Sequence, residues 1–400
     1  MKTKSLSHSY ATFTIVLLLL CVGNTPLFAA SSLEVSGWIP YWRVSGGTRD
    51  ARTHIDALTE IHPFGYVVTE DGGLDDLAGL KKSAWKRLFT KARGSDVRVI
   101  PTVMWSDGTN IHTILSDPKL RAAHIKKIVS MVKKGGFDGV DIDYEAKLTK
   151  TKDSFSLFLK ELKTALPGKM LTCAIEARTP ADSLYRTVPA TIEYSNDLVA
   201  IGKYCDRVQI MTYDQRRADI KLNDARKGAP YMPVADIDWV RKVVEHMLLS
   251  IPKEKLVLGI ATYGHEYEVT VAPQWFRDYR RIRALNPKDA LDIADDENIT
   301  PSRNSAGEMS ISYLPSSSNI VFPKTLSIPK NTSSGNKVAA QALAYANMTG
   351  VPVTFNFISW SDAGAIGDKI NLVEEFDLRG VALFKIDGEE DRDIWDILEE

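Results

Sequence analysis

Eight short apolar runs recur along the chain, and segments of helical period lie between most of them. The runs are SGWIPYW (36–42), FGYVVT (64–69), VRVIPTVMW (97–105), FDGVDIDYE (137–145), MLTCAIEA (170–177), DRVQIMTYD (206–214), KLVLGIATYG (255–264) and GVALFKI (380–386). Runs of this length read as strands. Between them, KLRAAHIKKIVSMVKKGG, KDSFSLFLKELKTALPGK and VADIDWVRKVVEHMLLSIP place apolar residues three and four apart, as an amphipathic helix requires. Strand–helix repetition predicts a parallel sheet covered by helices, and eight repeats predict an α/β fold of the (β/α)8 TIM barrel type. An open doubly wound sheet is the competitor. Such a sheet usually carries a glycine-rich phosphate loop after its first strand, and WIPYWRVSGG contains no GxGxxG.

One connection is too long for a simple unit. No clean strand–helix repeat occupies the stretch from about 265 to about 360, and a structureless loop of that length is improbable. A small α+β insertion over 266–360, between strand seven and its helix, is expected. At 400 residues and 44% hydrophobic, the chain has room for one large barrel over 31–400. Its formal charge of −1 gives no field that would favour nucleic acid or an anionic membrane surface. Lys2 and Lys4 precede FTIVLLLLCVG and TPLFAA, the pattern of a signal peptide over 1–30, cleaved after Ala29 or Ala30. The expected product is secreted, extracellular or periplasmic, with no stable membrane span after cleavage. An uncleaved anchor is the alternative. Beyond the leader, Cys173 and Cys205 remain; they are buried thiols or a pair, and spacing does not decide which.

Asp141, Asp143 and Glu145 fall at every second position of the fourth run. Side chains alternate along a strand, so the three acids share one face and Val140, Ile142 and Tyr144 the other. The apolar set packs under the helices. The acids therefore point into the barrel, and Glu145 ends the strand at the rim where barrel enzymes do chemistry. Like charges stacked so closely cannot all ionise, so a proton is retained near neutral pH, which is what a general acid needs. A calcium loop would need a turn glycine where branched apolar residues stand; a solvated acidic strand end is the other plain alternative. A conventional pair of carboxylates could recruit Glu266, but that would leave Asp141 and Asp143 without a role. Asp138 is expected to position the turn at Gly139. Tyr41 and Trp42 line the cleft or pack in the core, and Glu176 either adds a charge to the cleft or, as is expected, pairs with Arg178 at the rim. The seven histidines show no HExxH, so neither a metal nor a cofactor is expected.

Asp138, Asp141, Asp143 and Glu145 match the DxxDxDxE motif of family 18 of the glycoside hydrolases, the chitinase-like family. MTYD (211–214) resembles the family's MxYD, and GIATYG resembles its GxPxYG with Ala261 in place of proline. DLRGVALFKIDGEED resembles the last strand of bacterial cell-wall and spore-type members. The resemblance implies substrate-assisted, retaining hydrolysis of β-1,4-linked N-acetylglucosamine-containing glycans, whether chitin, chito-oligosaccharides or peptidoglycan. Glu145 would protonate the glycosidic oxygen while the substrate's own acetamido carbonyl attacks C1. Asp143 would hold the acetamido N–H, Asp141 would share its proton, and Tyr213 would bond the acetamido oxygen. Asp214, Met211, Trp105 and Phe384 would bind substrate. A monomer without metal or cofactor is implied. Two departures stand out. Phe384 occupies the place of the usual tryptophan, and PTVMWSDG replaces SxGG, leaving Trp105 to stack a sugar or cap the barrel mouth. The competing implication is a glycan-binding, lectin-like protein on the same fold without catalysis; such proteins typically lack the terminal acid, here Glu145.

Overall fold

The structure is a computed structural model in which residues 33–399 are described; the expected leader lies outside them. Eight parallel strands form the core: β1 (Glu34–Pro40), β2 (Glu60–Val68), β3 (in two pieces, Arg98–Val99 and Thr102–Trp105), β4 (Gly139–Tyr144), β5 (Met170–Glu176), β6 (Arg207–Met211), β7 (Leu256–Ala261) and β8 (Gly380–Phe384). Each pairs with the next, and β1 pairs with both β2 and β8, so the sheet closes on itself as a (β/α)8 barrel. The gap in β3 holds Pro101, which has no N–H to give a ladder.

Parity along the strands sorts the side chains. Val140, Ile142 and Tyr144 join the main hydrophobic core between sheet and helices. Trp38, Ala174, Val257 and Ala382 cluster together, with Phe64 and Phe384 packed on them. The N-terminal ends of the strands carry an ion-pair cluster. Arg207 reaches Glu34 at 2.5 and 2.8 Å, Arg98 reaches Glu60 at 2.6 Å and Glu34 at 3.1 Å, and Arg379 also bonds Glu34. Burial alone would raise the Glu34 carboxyl, but Arg207 and Arg379 outweigh it and hold its pKa at about 2.

Cys173 on β5 and Cys205, just ahead of β6, form a disulfide with Cα atoms 6.1 Å apart. This decides the alternative that spacing left open.

After β7 the chain enters a second sheet of five antiparallel strands. Their order is Trp275–Leu285, Gly264–Ala272, Val353–Trp360, Met309–Tyr313, Ser302–Arg303. Gly264 begins it, because a Cβ there would lie 2.4 Å from the Ser359 carbonyl. Val269, Val271, Phe355 and Phe357 pack against Ala339, Ala342 and Ala346 of helix Lys337–Thr349, whose small side chains let the helix sit close. Glu308 ties this sheet to the segment after β6. Its carboxylate accepts from the N–H groups of Val234 (3.1 Å) and Ala235 (2.6 Å) and from Ser359 Oγ (2.6 Å). Helix Ala363–Glu375 then returns the chain to β8. Among the described residues, no helix is long and apolar enough to cross a membrane.

Candidate active site

A cleft of about 420 Å³ opens at the C-terminal ends of the strands, with Asp143, Glu145, Met211, Tyr213, Asp214 and Phe384 on its lining. These are six of the eight site residues expected from the sequence. Asp141 lies one layer deeper. Its Oδ2 accepts from Trp38 Nε1 at 2.9 Å and from Thr102 Oγ1 at 2.8 Å. Its Oδ1 has no partner, and neither does Asp143 Oδ1, although both are buried. A buried carboxyl oxygen left without a donor is costly unless a proton is present to be shared. The environment supplies that proton. Burial raises the pKa of Asp141, and bonds from Trp38 and Thr102 only partly offset it. Burial raises Asp143 well above the usual carboxylate range, and the charges of Glu145 and Asp141 push the same way. Glu145 is raised by burial first and by Glu176 second. The stack therefore holds protons at a pH where isolated carboxylates do not.

Glu145 stands one residue beyond β4, ahead of a turn in which Ala146 has φ 53°. Tyr213 is half-buried against Phe384, ring centroids 5.5 Å apart and nearly parallel. Burial pushes its phenol well above its ordinary range, so it remains an O–H donor. Asp214 accepts from Tyr263 Oη at 3.1 Å and lies 2.6 Å from His265 Nε2. Burial would raise its pKa, but the bond from His265 outweighs it and keeps the carboxylate ionised. Phe384 meets Trp38, Phe64, Tyr213 and Tyr263 at 5.5 to 6.1 Å, so the ring is braced on its protein sides and shows to the cleft.

Two expectations, for Trp105 and Glu176, are corrected, and the Glu266 alternative is set aside. Trp105 neither stacks on a ligand in the cleft nor caps the mouth. It is 4% exposed and packs edge-on against Tyr144 (5.3 Å) and beside His124 (5.5 Å), under helix Pro118–Gly135. The register explains this: Trp105 pairs with Tyr144 and so shares its outward face, while Thr102 and Met104 pair with Asp141 and Asp143. Glu266 is not a second catalytic carboxylate. It lies in the inserted sheet, where Arg283 Nε (2.7 Å), Asn356 Nδ2 (3.2 Å) and the Tyr313 hydroxyl hold it. Glu176 does not pair with Arg178, which instead sits over the Tyr194 ring. Its partner is Lys147, with Nζ 3.7 Å away.

Lys147 was not anticipated. Its charge lies in sequence just past the acids, but nothing in a linear reading turns it inward; the turn at Ala146 does that. Trp38, Thr102, Tyr263 and His265 were missed for a related reason, since each acts from a different part of the chain. Asp138 lies outside the cleft and clips β4 to β3 by accepting from the Val99 N–H at 2.8 Å. Tyr41 and Trp42 form a short helical turn after β1 and are 37% and 49% exposed, so neither is core. Among the described residues, no group of His, Cys, Asp and Glu is placed to hold a metal ion.

Residues 38–389 match the pattern of glycosyl hydrolases family 18. The cortical fragment-lytic enzyme of Bacillus subtilis is 23% identical over 275 residues, spanning 68% of this chain and 52% of that protein. Among solved structures, the spore cortex-lytic enzyme SleL of Bacillus megaterium aligns with a TM-score of 0.65 at 20% identity, over 92% of this chain and 73% of that one. A class V chitinase of Pseudomonas fluorescens aligns with a TM-score of 0.68 at 20% identity, over 92% and 98%. The chain spans about half the length of the curated relatives it matches. The family match begins within β1 and runs past the end of β8, so it reaches all eight strands, and this chain belongs to family 18 of the glycosyl hydrolases.

Proposed function

We propose that the chain is a secreted glycoside hydrolase that cleaves β-1,4-linked N-acetylglucosamine-containing glycans by substrate-assisted retaining hydrolysis. One observation carries the reading: a proton-retaining carboxylate stack that ends in Glu145 at the mouth of an aromatic-lined cleft. Asp141 Oδ1 and Asp143 Oδ1 are both buried without a partner, and in this mechanism the two carboxyls share a proton. Asp143 then accepts the N–H of the 2-acetamido group, which makes the acetamido oxygen a better nucleophile. That oxygen attacks C1 as Glu145 gives its proton to the departing glycosidic oxygen. The cyclic oxazolinium ion carries the positive charge, with Asp143 beside it and the Tyr213 hydroxyl on its oxygen. Glu145, now a carboxylate, takes a proton from the water that reopens the ring at C1. Two inversions at one carbon give net retention.

The names of the relatives support both wall-type and chitin-type substrates, and the acetamido group is common to both. The expected leader and the Cys173–Cys205 bridge support export, because disulfides persist in oxidising compartments. Product analysis on chito-oligosaccharides and on peptidoglycan tests the reading. Cleavage of either, with no cleavage of fully deacetylated chitosan or cello-oligosaccharides, is expected. A thiazoline analogue of the oxazolinium ion should inhibit competitively, since it resembles a charged species near the transition state. Comparable hydrolysis of cello-oligosaccharides would sink the mechanism.

A further inference from the structure

We propose that Lys147 and Glu176 form a clasp that fixes the acid Glu145 through the peptide groups on either side of it and sets how firmly its proton is held; this rests on the hydrolase reading above. Glu145 lies between Tyr144, whose carbonyl accepts from the Lys147 ammonium, and Ala146, whose N–H donates to Glu176 Oε1 at 3.2 Å. The ammonium and Glu176 Oε2 are 3.7 Å apart. One ion pair thus holds both flanking peptide groups, one half from the loop after β4 and the other from the end of β5. Ala146 needs such support. Its φ of 53° is a conformation that residues with a Cβ seldom adopt unless their surroundings impose it. Helix Gly108–Ser116 abuts the same turn so closely that a Cβ on Gly108 would lie 2.2 Å from the Ala146 carbonyl oxygen. Asn196 Nδ2, from the excursion between β5 and β6, steadies Glu176 at 2.9 Å.

The pair is also electrostatic machinery. The Lys147 side chain has no solvent exposure and lies 4.8 Å from the centre of the Phe155 ring. Burial lowers its pKa, so its charge depends on the acids nearby. Those that face it are Glu176, Asp143 and Glu145; Arg178 is near enough to act on the charge of Glu176, and Asp214, beyond β6, acts on that of Glu145. Lys147 favours the ionised forms of Asp143 and Glu145, while Glu176 opposes ionisation of both. The two halves of one clasp therefore act on the acid in opposite senses.

The test reads Glu145 without substrate. The full chain is labelled with 13C at glutamate carboxyls, the Glu145 signal is identified by its loss in Glu145→Gln, and its midpoint is followed by NMR. Lys147→Met should raise the midpoint by about one pH unit, Glu176→Gln should lower it by about half a unit or more, and Lys147→Arg should stay near wild type. In hydrolysis of chito-oligosaccharides, the basic limb of kcat/KM should move with the same signs. Lys147→Met should also lower kcat about tenfold with KM within about twofold, because a displaced acid weakens the chemical step more than binding. If Lys147→Met fails to fold, Glu176→Gln decides alone, since its amide oxygen can still accept from Ala146. Unchanged midpoints, or shifts of the same sign in both variants, would overturn the clasp. A wild type that hydrolyses nothing would overturn the hydrolase reading instead, and the titration would still judge the clasp.

Discussion

In the proposed mechanism Glu145 needs its proton only until the glycosidic bond breaks. Glu145→Gln removes the proton and keeps the shape, so kcat should fall by about two to four orders of magnitude while circular dichroism and melting temperature stay near wild type. Full activity in that variant would assign the acid elsewhere. Asp143→Asn and Tyr213→Phe should lower kcat more than they raise KM, because in the proposed mechanism their bonds to the acetamido group strengthen as it cyclises. Steady-state kinetics separate that outcome from simple loss of binding. Phe384 is a different case. It is braced by four aromatic rings, so Phe384→Trp has little room on the protein side. The expected result is a lower melting temperature from overpacking, unless the indole extends into the cleft and tightens oligosaccharide binding. Calorimetry with a short oligosaccharide distinguishes the two.

At the scale of strands and helices, much of this architecture can be read from periodicity. The acids of β4 announce themselves because a period of two is visible in one short run, and their inward direction follows from the apolar residues between them. Trp105 obeys the same rule. Counting alternation from Thr102 puts it on the outer face, but the parity of β3 relative to β4 is fixed by pairing and not by either sequence alone. Glu266 looked available because the end of β7 is marked only by a glycine, and the chain leaves the barrel there. Lys147 and Glu176 could not be joined in advance, since contacts between successive strands depend on loop conformation. The insertion has its own mechanical role. Glu308 spans from it to Val234, which packs beside Tyr213 and Phe384 at the cleft. Glu308→Ala would orphan two buried N–H groups and should cost about 2–4 kcal/mol. Chemical denaturation measures that loss, and a raised KM should accompany it if the cleft wall shifts.

Across the whole molecule, two buried carboxyls give stability a pH profile. Glu34 has its pKa lowered from 4.5 to about 2. Its contribution, about 3 kcal/mol, is present above the unfolded value and is lost as pH falls through 2. Glu390 is raised from 4.5 to about 7, by burial and by its contact with Asp50. Its contribution is complete below 4.5 and is lost as pH rises through 7. Their joint effect favours mildly acidic conditions, and Glu390→Gln should flatten the decline in unfolding free energy between pH 5 and 7 (about 3 kcal/mol in size). A wild-type profile in that variant would mean another group governs the slope. The bridge between Cys173 and Cys205 has a consequence of another kind. It joins positions 32 apart, and the excursion it encloses carries Glu176 and Asn196 beside the acid. Within that excursion Arg186 is well exposed, in an irregular stretch. A protease that cuts after Arg186 would sever the backbone yet release no fragment, because the sulfur bridge still spans the wound. Trypsin-treated protein should migrate as one species on a gel without reductant and as two with it, so damage to the cleft wall need not cost the molecule a piece of itself.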